Sequence, residues 1–307
     1  MKKILVATEK PFAKAAVEGI RQIIDKAGFE MVLLENYTLK TELLAAVADA
    51  DAMIIRSDIA DQDVLEAAAK LKIVVRAGAG YDNIDLDAAT KKGIVAMNTP
   101  GQNSNAVAEL AIGMMVMAAR NNYNGTSGSE LKGKKLGLHA FGHVGKAVST
   151  IAKGFGMEVY AYDPFVSKEA IEAEGIKWVE EVSGLYAACQ YVSLHMPATP
   201  QTKKSINFEL LSKMPKGATL VNTARKEVVD EEGLVQMFAE RPDFKYVSDV
   251  EPDNKPLLAE KFSGRFFFTP KKIGAQTSEA NNNAGLAAAR QIIAFFNEGD
   301  KTFQVNK

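Results

Sequence analysis

The feature that most constrains this chain is a run in its middle, LGLHAFGHVGKAV at residues 136–148, followed by VYAYD at residues 159–163. An apolar segment, a turn of small residues, a helix start, a second apolar segment and a terminal acid predict a strand–helix–strand unit. In such units one glycine makes the turn, a second lets the backbone approach a pyrophosphate, and a third packs the helix on the strand. The run therefore predicts half of a dinucleotide-binding domain.

The three glycine positions of this motif read Ala140, Gly142 and Gly145, so the first is an alanine. Asp163 lies 21 residues beyond Gly142, close to the spacing at which a carboxylate meets the ribose hydroxyls of a dinucleotide. A carboxylate there would repel a 2′-phosphate, so NAD is favoured over NADP. The alternative is a strand-to-helix turn in an α/β protein that binds no nucleotide.

Composition is that of a globular chain with room for two cores. The 307 residues are 47% hydrophobic and 24% charged, and the net charge of −1 offers no basic field for nucleic acid. The one cysteine, Cys189, excludes an internal disulfide and is expected to be a buried small hydrophobe. No apolar run approaches membrane-spanning length. We expect a cytoplasmic protein with no membrane, nucleic-acid or metal partner.

Apolar runs alternate with amphipathic helical patterns along the chain. The first set has predicted strands at residues 4–7, 31–34, 52–55 and 73–76, and the second set has six, starting at residue 136. A helical pattern at residues 105–120 and a polar connector separate the two sets, and another helical pattern follows Thr277. This alternation predicts parallel sheets covered by helices.

Three polar clusters each follow a predicted strand: NTAR with Arg225, DVEP with Asp249 and Glu251, and TPKKIG with Lys271 and Lys272. Open α/β sheets bind ligands at the carboxyl ends of their strands. A guanidinium at such a place can hold a carboxylate through two parallel hydrogen bonds, and a carboxylate can orient a base. Taken singly, each cluster could equally be a solvated surface charge or an ion pair.

The order of these motifs resembles that of the D-isomer-specific 2-hydroxyacid dehydrogenases. A mid-chain nucleotide motif comes first, followed by NTAR, DV with EP, TP, and IG with TSEA. The resemblance extends to RAGAGYDNIDLDAATKKGI at residues 76–94 and MNTPGQNSNAVAEL at residues 97–110. It implies two Rossmann/flavodoxin-like, doubly wound parallel-sheet domains with an active-site cleft between them. Residues 1–98 with 281–307 would be the substrate-binding domain, and residues 99–280 the NAD-binding domain. A homodimer through the NAD domain, with residues 105–120 in the interface region, is implied as well.

The resemblance also assigns roles to residues. Arg225 would bind the substrate carboxylate, Glu251 would be the catalytic carboxylate, and Asp249 would contact the nicotinamide carboxamide. The other implied cofactor positions are Ala79, Ala140, Gly142, His143, Val144, Gly145, Asp163, Met196, Pro197, Thr223 and Ala224. Ala79 and Gly80 would also face the substrate, while Arg56 and Arg76 are candidates for a substrate phosphate. Asp58 is expected to repel such a phosphate.

The acid/base position departs from the family pattern, which reads PHIG where this chain reads PKKIG. A gapless match of KIGAQTSEA places Lys272 on the family's histidine, whereas a match from TP places Lys271 there. His195 is the rival base, and loss of catalysis is the remaining alternative. Lys272 is the preferred candidate.

The implied reaction is NAD-dependent oxidation of the 2-hydroxyl of 3-phospho-D-glycerate to 3-phosphohydroxypyruvate, the first step of phosphorylated serine synthesis. A reductase for hydroxypyruvate, glyoxylate or another 2-keto acid is the alternative within enzymes. An NAD-sensing binding protein of the corepressor type is the alternative from another class.

Overall fold

The computed structural model describes residues 1–306, which form two units, each built around one parallel β-sheet. The first unit comprises residues 1–103 together with the residues from 276 onward, and the second comprises residues 104–275. Every strand pairing within the two sheets is parallel. The predicted fold class of two parallel-sheet α/β domains is confirmed.

The first unit has a five-stranded sheet in the order β2-β1-β3-β4-β5, a flavodoxin-like order. Its strands are β1 (Lys3–Thr8), β2 (Glu30–Glu35), β3 (Ala52–Ile55), β4 (Ile73–Arg76) and β5 (Val95–Asn98). The connecting helices are α1 (Lys14–Lys26), α2 (Lys40–Val47), α3 (Gln62–Ala67) and α4 (Leu86–Lys91). The sequence analysis did not assign β5, although all four of its residues are buried like those of β3.

Both faces of this sheet are covered, which explains why its strands read as unbroken apolar runs. Ile4, Val6 and Ile54 pack toward α1, whereas Leu5 and Met53 pack toward the helices of the opposite face. All four residues of β3 are buried.

The second unit begins with α5 (Ser104–Ala119) and has a seven-stranded sheet in the order β12-β11-β10-β9-β6-β7-β8. Its strands are β6 (Lys135–His139), β7 (Glu158–Tyr162), β8 (Lys177–Trp178), β9 (Tyr191–Leu194), β10 (Thr219–Asn222), β11 (Lys245–Ser248) and β12 (Phe266–Phe268). Its other helices are α6 (His143–Gly154), α7 (Lys168–Ala173), α8 (Val182–Ala188), α9 (Phe208–Leu211), α10 (Glu231–Glu240) and α11 (Lys255–Lys261). The sequence predicted six strands and missed β8, a two-residue edge strand that is too short to show a pattern.

The strand order of the second sheet reverses direction between β6 and β9. At such a switch point the loops after the two neighbouring strands diverge and leave a crevice at the carboxyl edge of the sheet, where dinucleotides bind in open α/β sheets. The turn after β6 is the one that carries Ala140, Gly142 and Gly145. The topology therefore places the predicted motif at the ligand-binding position of its sheet.

The last helix, α12 (Ser278–Glu298), packs on the first sheet. Ala284, Ala288 and Ile292 are buried there against α1 and the central strands. Thr277 caps the start of α12 by accepting a hydrogen bond from the Ala280 N–H. Gly299 follows the end of the helix with a φ of 71°, the left-handed conformation common at this position.

Candidate active site

The backbone geometry of the turn between β6 and α6 explains why small residues stand at positions 140 and 145. Ala140 has a φ of 82°, a left-handed conformation that favours glycine, so this alanine keeps the backbone shape of the usual first glycine. Gly145 lies so close to the turn that a Cβ on it would be 2.5 Å from the Ala140 carbonyl oxygen. Gly145 is therefore required for packing the helix against the turn.

Gly142 is different, because nothing in the fold requires it to be glycine. Its φ of −78° is open to any residue, and a Cβ on it would have no heavy atom within 4 Å. It precedes the first residue of α6 and offers no side chain to cap the first N–H groups of that helix. Uncapped N–H groups at a helix start bind phosphate well, and an open surface above a glycine lets the phosphate reach them. The turn thus fits a pyrophosphate.

Asp163 follows β7 beside this turn and has a fixed carboxylate. Its Oδ2 accepts a hydrogen bond from the Phe141 N–H (2.7 Å), and its Oδ1 accepts one from the Phe165 N–H (2.8 Å). Each carboxylate oxygen has two acceptor sites, so both retain one for a further donor. A half-exposed carboxylate held in this way suits the two hydroxyls of an adenosine ribose.

Arg225 stands in a turn after β10 that a buried asparagine shapes. The Asn222 Oδ1 accepts from the Ala224 N–H (2.9 Å), and its Nδ2 donates to the Arg225 carbonyl (3.0 Å). The Arg225 side chain is exposed, and its Nη1 donates to the Ala224 carbonyl oxygen (3.0 Å). The guanidinium has five N–H donors, so this bond leaves donors for a carboxylate.

Lys272 reaches the same carbonyl oxygen. Its Nζ donates to the Ala224 O at 2.6 Å, although the two residues are 48 positions apart in the chain. Lys271 and Lys272 are both exposed. The structure therefore brings Lys272 and Arg225 onto one acceptor atom.

Asp249 and Glu251 have contrasting surroundings. Asp249 is fully buried, and its carboxylate accepts hydrogen bonds from Thr269 and from two backbone N–H groups after Lys272. Glu251 is partly exposed and forms an ion pair with Lys255.

The other second-unit candidates line the carboxyl edge of the sheet. Met196 is buried and Pro197 is exposed in the loop after β9. Thr223 is buried, and its Oγ1 has no hydrogen-bond partner within residues 1–306. At the start of α6, His143 is exposed and Val144 is half-buried.

In the first unit, Arg56 connects three segments. Its Nη1 donates to the Lys10 and Pro11 carbonyls (3.3 and 3.2 Å), and its Nη2 donates to the Asn281 Oδ1 (2.7 Å) on α12. Burial lowers its pKa, while the charge of Asp58 acts in the opposite direction.

Asp58 is buried, and the protein itself supplies donors to its carboxylate. It accepts from the Glu9 N–H (2.7 Å), the Tyr37 hydroxyl (2.8 Å) and the Arg56 N–H (3.1 Å). Burial, followed by the hydrogen bond and charge of Asp58, raises the pKa of Tyr37 above its usual value. These three donors are neutral and leave the negative charge of Asp58 in place, so the expected repulsion of a phosphate by Asp58 stays a prediction.

Arg76, Ala79 and Gly80 lie on the loop after β4. Arg76 donates through Nε to the Arg56 carbonyl (3.0 Å), and its guanidinium lies over Gly78, where a Cβ would be 1.7 Å from Nη1. The Ala79 carbonyl accepts from the Asn98 Nδ2 (2.6 Å). Sequence reasoning did not single out Gly78, whose φ of 156° is a backbone conformation that favours glycine.

Residues 110–270 match the family model described as D-isomer specific 2-hydroxyacid dehydrogenase, NAD binding domain. The chain belongs to this family. Residues 110–270 are accordingly an NAD-binding domain, and the predicted cofactor is confirmed.

Among solved structures, this chain is similar to the NAD⁺-bound 3-phosphoglycerate dehydrogenase of Entamoeba histolytica, with 50% identity, a TM-score of 0.85, and coverage of 100% of this chain and 99% of that chain. It is 38% identical to a D-3-phosphoglycerate dehydrogenase of Methanocaldococcus jannaschii over 95% of this chain and 57% of the relative. It is 34% identical to a hydroxypyruvate reductase of Thermotoga maritima over 86% of this chain and 90% of the relative. The chain spans little more than half the length of the Methanocaldococcus relative.

His195, the rival candidate for the base, lies in an environment that disfavours its protonated form. Both of its ring nitrogens are buried without a hydrogen-bond partner among the described residues. Burial, with a smaller effect of neighbouring His139, lowers the pKa of His195 to about 3. Burial also lowers the pKa of His139 to about 4. A ring that resists protonation to this extent is a poor proton acceptor near neutral pH.

These depressed pKa values predict acid sensitivity of the fold. Between pH 6.5 and pH 4, His139 takes up a proton when unfolded but stays neutral when folded, so stability falls as the pH falls. We expect His139 alone to remove about 2 kcal/mol of unfolding free energy between pH 8 and pH 5. Urea melts of the wild type and of His139→Gln at both pH values would measure this, and equal pH dependence in the two proteins would contradict it.

No group of three or more histidine, cysteine, aspartate or glutamate side chains within residues 1–306 is arranged to hold a metal ion. In the same residues, no helix has both the length and the apolar character needed to cross a bilayer.

Asp163 leads to a prediction about the preference of this chain for NADH over NADPH. Because two backbone N–H groups hold its carboxylate, it cannot easily turn away from a 2′-phosphate, and like charges in contact cost several kcal/mol. We expect kcat/KM with NADH to exceed that with NADPH by on the order of 100-fold or more. Asp163→Ser should narrow this ratio. Equal kcat/KM values with NADH and NADPH in the wild type would show that Asp163 does not discriminate between a ribose hydroxyl and a 2′-phosphate.

Proposed function

We propose that this chain is an NAD-dependent dehydrogenase that oxidises 3-phospho-D-glycerate to 3-phosphohydroxypyruvate, the first step of phosphorylated serine synthesis. The observation that carries the proposal is the meeting of Lys272 Nζ and Arg225 Nη1 on the Ala224 carbonyl oxygen. This contact brings together two side chains at the carboxyl edge of the NAD-binding sheet, and it supports Arg225 as the carboxylate-binding group and Lys272 as the proton carrier. Similarity to proteins named phosphoglycerate dehydrogenase supports the choice of substrate.

In this proposal Arg225 holds the substrate carboxylate and stabilises the charge that develops on the neighbouring oxygen. Lys272, as the neutral amine, accepts the proton of the 2-hydroxyl, and as the ammonium it returns that proton during reduction. When bound, NAD⁺ accepts the hydride from C2. Glu251 is the acid proposed to act with Lys272, and Lys271 is the alternative proton carrier.

The cofactor would lie along the glycine turn. The first N–H groups of α6 and the open surface above Gly142 would hold the pyrophosphate, and Asp163 the ribose. His143, Val144, Met196, Pro197 and Thr223 would line the rest of this surface.

We assign substrate binding to residues 1–98 with 281–307 and NAD binding to residues 99–280. In the first part, Arg56 and Arg76 are the proposed phosphate ligands, because guanidinium groups suit phosphate. Ala79 and Gly80 would present backbone groups to the substrate.

The deciding experiment measures NADH oxidation with phosphohydroxypyruvate, hydroxypyruvate, glyoxylate and pyruvate in parallel. We expect the highest kcat/KM with phosphohydroxypyruvate. A preference for hydroxypyruvate would favour the second candidate function, a hydroxypyruvate reductase, which the Thermotoga maritima relative suggests. NADH binding without turnover of any of the four compounds would favour an NAD-sensing binding protein.

A homodimer through α5 is part of the proposal. This helix is apolar on almost every side, which is unusual for a helix that keeps an exposed face. Gly113 is exposed in its middle, and a Cβ there would meet nothing within 4 Å. Gly113→Arg should therefore leave the subunit folded and halve the mass measured by light scattering, whereas an unchanged mass would place the interface elsewhere.

A reducing, cytoplasmic compartment is also proposed, because Cys189 is buried as a free thiol.

A further inference from the structure

Asp249 lies immediately after β11 with a carboxylate that is completely buried. Its Oδ1 accepts from the Thr269 hydroxyl (3.0 Å) and the Ile273 N–H (2.8 Å), and its Oδ2 accepts from the Gly274 N–H (2.7 Å). Burying a carboxylate is costly unless hydrogen bonds compensate it. Here all three donors come from one segment, residues 269–274, which we call the lysine segment because it contains Lys272.

The lysine segment is shaped for this contact. A Cβ on Gly274 would be 2.8 Å from the Asp249 Oδ2, so only glycine lets this N–H approach the carboxylate without displacing it. Thr269 is also held through its backbone, since its N–H donates to the Ser248 carbonyl (3.1 Å). The three bonds to Asp249 therefore restrain the backbone both before and directly after Lys272.

We propose that Asp249 and Thr269 are positioning residues that set the place of Lys272, so that its Nζ lies on the Ala224 carbonyl oxygen beside Arg225. This inference rests on the proposed function, in which Lys272 carries the proton. A lysine side chain has four flexible bonds, and its terminal nitrogen reaches a fixed point only if its backbone is fixed. Displacements of about 1 Å in a reacting group can cost on the order of 100-fold in rate.

The family resemblance suggests a different role for Asp249, contact with the nicotinamide carboxamide. The two roles differ in what they change, because loss of a carboxamide contact weakens cofactor binding, whereas a displaced Lys272 slows proton transfer. Thr269 separates them further. Thr269 is buried at the start of the lysine segment, and its hydroxyl donates to the Asp249 carboxylate. No cofactor contact is proposed for Thr269, so loss of its hydroxyl tests the positioning role alone.

The first test replaces Thr269 by valine, which keeps the shape and removes the hydroxyl, and by serine, which restores it. We expect Thr269→Val to lower kcat about tenfold, with the KM for NAD⁺ unchanged, and Thr269→Ser to recover most of the loss. Asp249→Asn, which places an amide against backbone N–H donors, should lower kcat about 100-fold, again without a rise in that KM. Hydrogen exchange of the Ile273 and Gly274 amides should become faster in Thr269→Val and Asp249→Asn.

Two results would overturn the inference. One is a raised KM for NAD⁺ in Asp249→Asn together with a silent Thr269→Val, which would assign Asp249 to the cofactor. The other is unchanged amide exchange and unchanged kcat in Thr269→Val. Lys272→Ala, measured alongside, distinguishes failure of the proposed function from failure of this inference. Full activity of Lys272→Ala would overturn both the proton-carrier role of Lys272 and the positioning role of Asp249 and Thr269. An inactive Lys272→Ala with an unimpaired Thr269→Val would overturn only the positioning role.

Discussion

Replacing Lys272 by alanine is expected to lower kcat by about 10²–10⁴-fold, the usual contribution of a general acid or base, while NADH affinity stays near that of the wild type. The reason is geometric: Lys272 Nζ is hydrogen-bonded to the Ala224 carbonyl oxygen beside Arg225, and His195 is too strongly desolvated to replace it. Oxidation requires the neutral amine and reduction the ammonium, so the rate of oxidation should rise toward alkaline pH. Steady-state kinetics in both directions across pH 6–10 would measure this.

Matched variants distinguish Lys272 from other lysines. Lys271→Ala should be milder, and Lys261→Ala, at an exposed position in the last turn of α11, should behave as the wild type. Lys272→His is informative because an imidazole that restores some activity should shift the pH profile toward neutrality. An active Lys272→Ala with an inactive Lys271→Ala would mean that the proton carrier is the preceding lysine. Activity in both would leave His195 or water as the carrier.

Arg225→Lys is expected to cost about 2–4 kcal/mol of transition-state stabilisation, seen as a fall in kcat/KM for the hydroxy acid. The charge is kept, but a lysine presents a point charge where the guanidinium presents two parallel donors to a carboxylate. The turn itself should persist, because Asn222 forms its hydrogen bonds with backbone groups of Ala224 and Arg225.

The control for this variant is Arg290→Lys, at an exposed position on α12, which should leave kinetics unchanged. If Arg225→Lys kept the wild-type kcat and KM, Arg225 would have only a structural role. Thermal melts of both variants would show whether any loss of activity follows loss of the fold.

Much of the fold could be predicted because parallel strands buried on both faces leave long apolar runs. The glycine turn was also predictable, since Gly145 and the left-handed residue at position 140 follow from backbone geometry. β8 was missed because its two residues carry no pattern, whereas β5 is fully buried like the predicted strands and was overlooked.

The sequence identified the charged residues of the candidate site, but it did not identify the hydrogen-bonding groups that fix their positions. Arg225 and Lys272 follow strands in recognisable motifs, whereas the contacts of Asn222, Thr269 and Asp249 join strands that are 20 or more residues apart. A sequence pattern shows that a polar residue ends a strand, but not which backbone N–H it will meet. The same limit applies to Asp58, whose buried donors come from three separate segments.

In the proposed mechanism, the acceptor that positions Lys272 beside Arg225 is a main-chain atom, the Ala224 carbonyl oxygen. A carbonyl oxygen is present whatever side chain stands at that position, so mutation at residue 224 cannot delete it. A free lysine side chain samples many rotamers, and fixing it in one of them costs up to about 2 kcal/mol of conformational entropy. A hydrogen bond from the lysine Nζ to such an acceptor offsets part of this cost. Substitutions at residue 224 should accordingly leave the hydrogen bond from Lys272 to this oxygen in place.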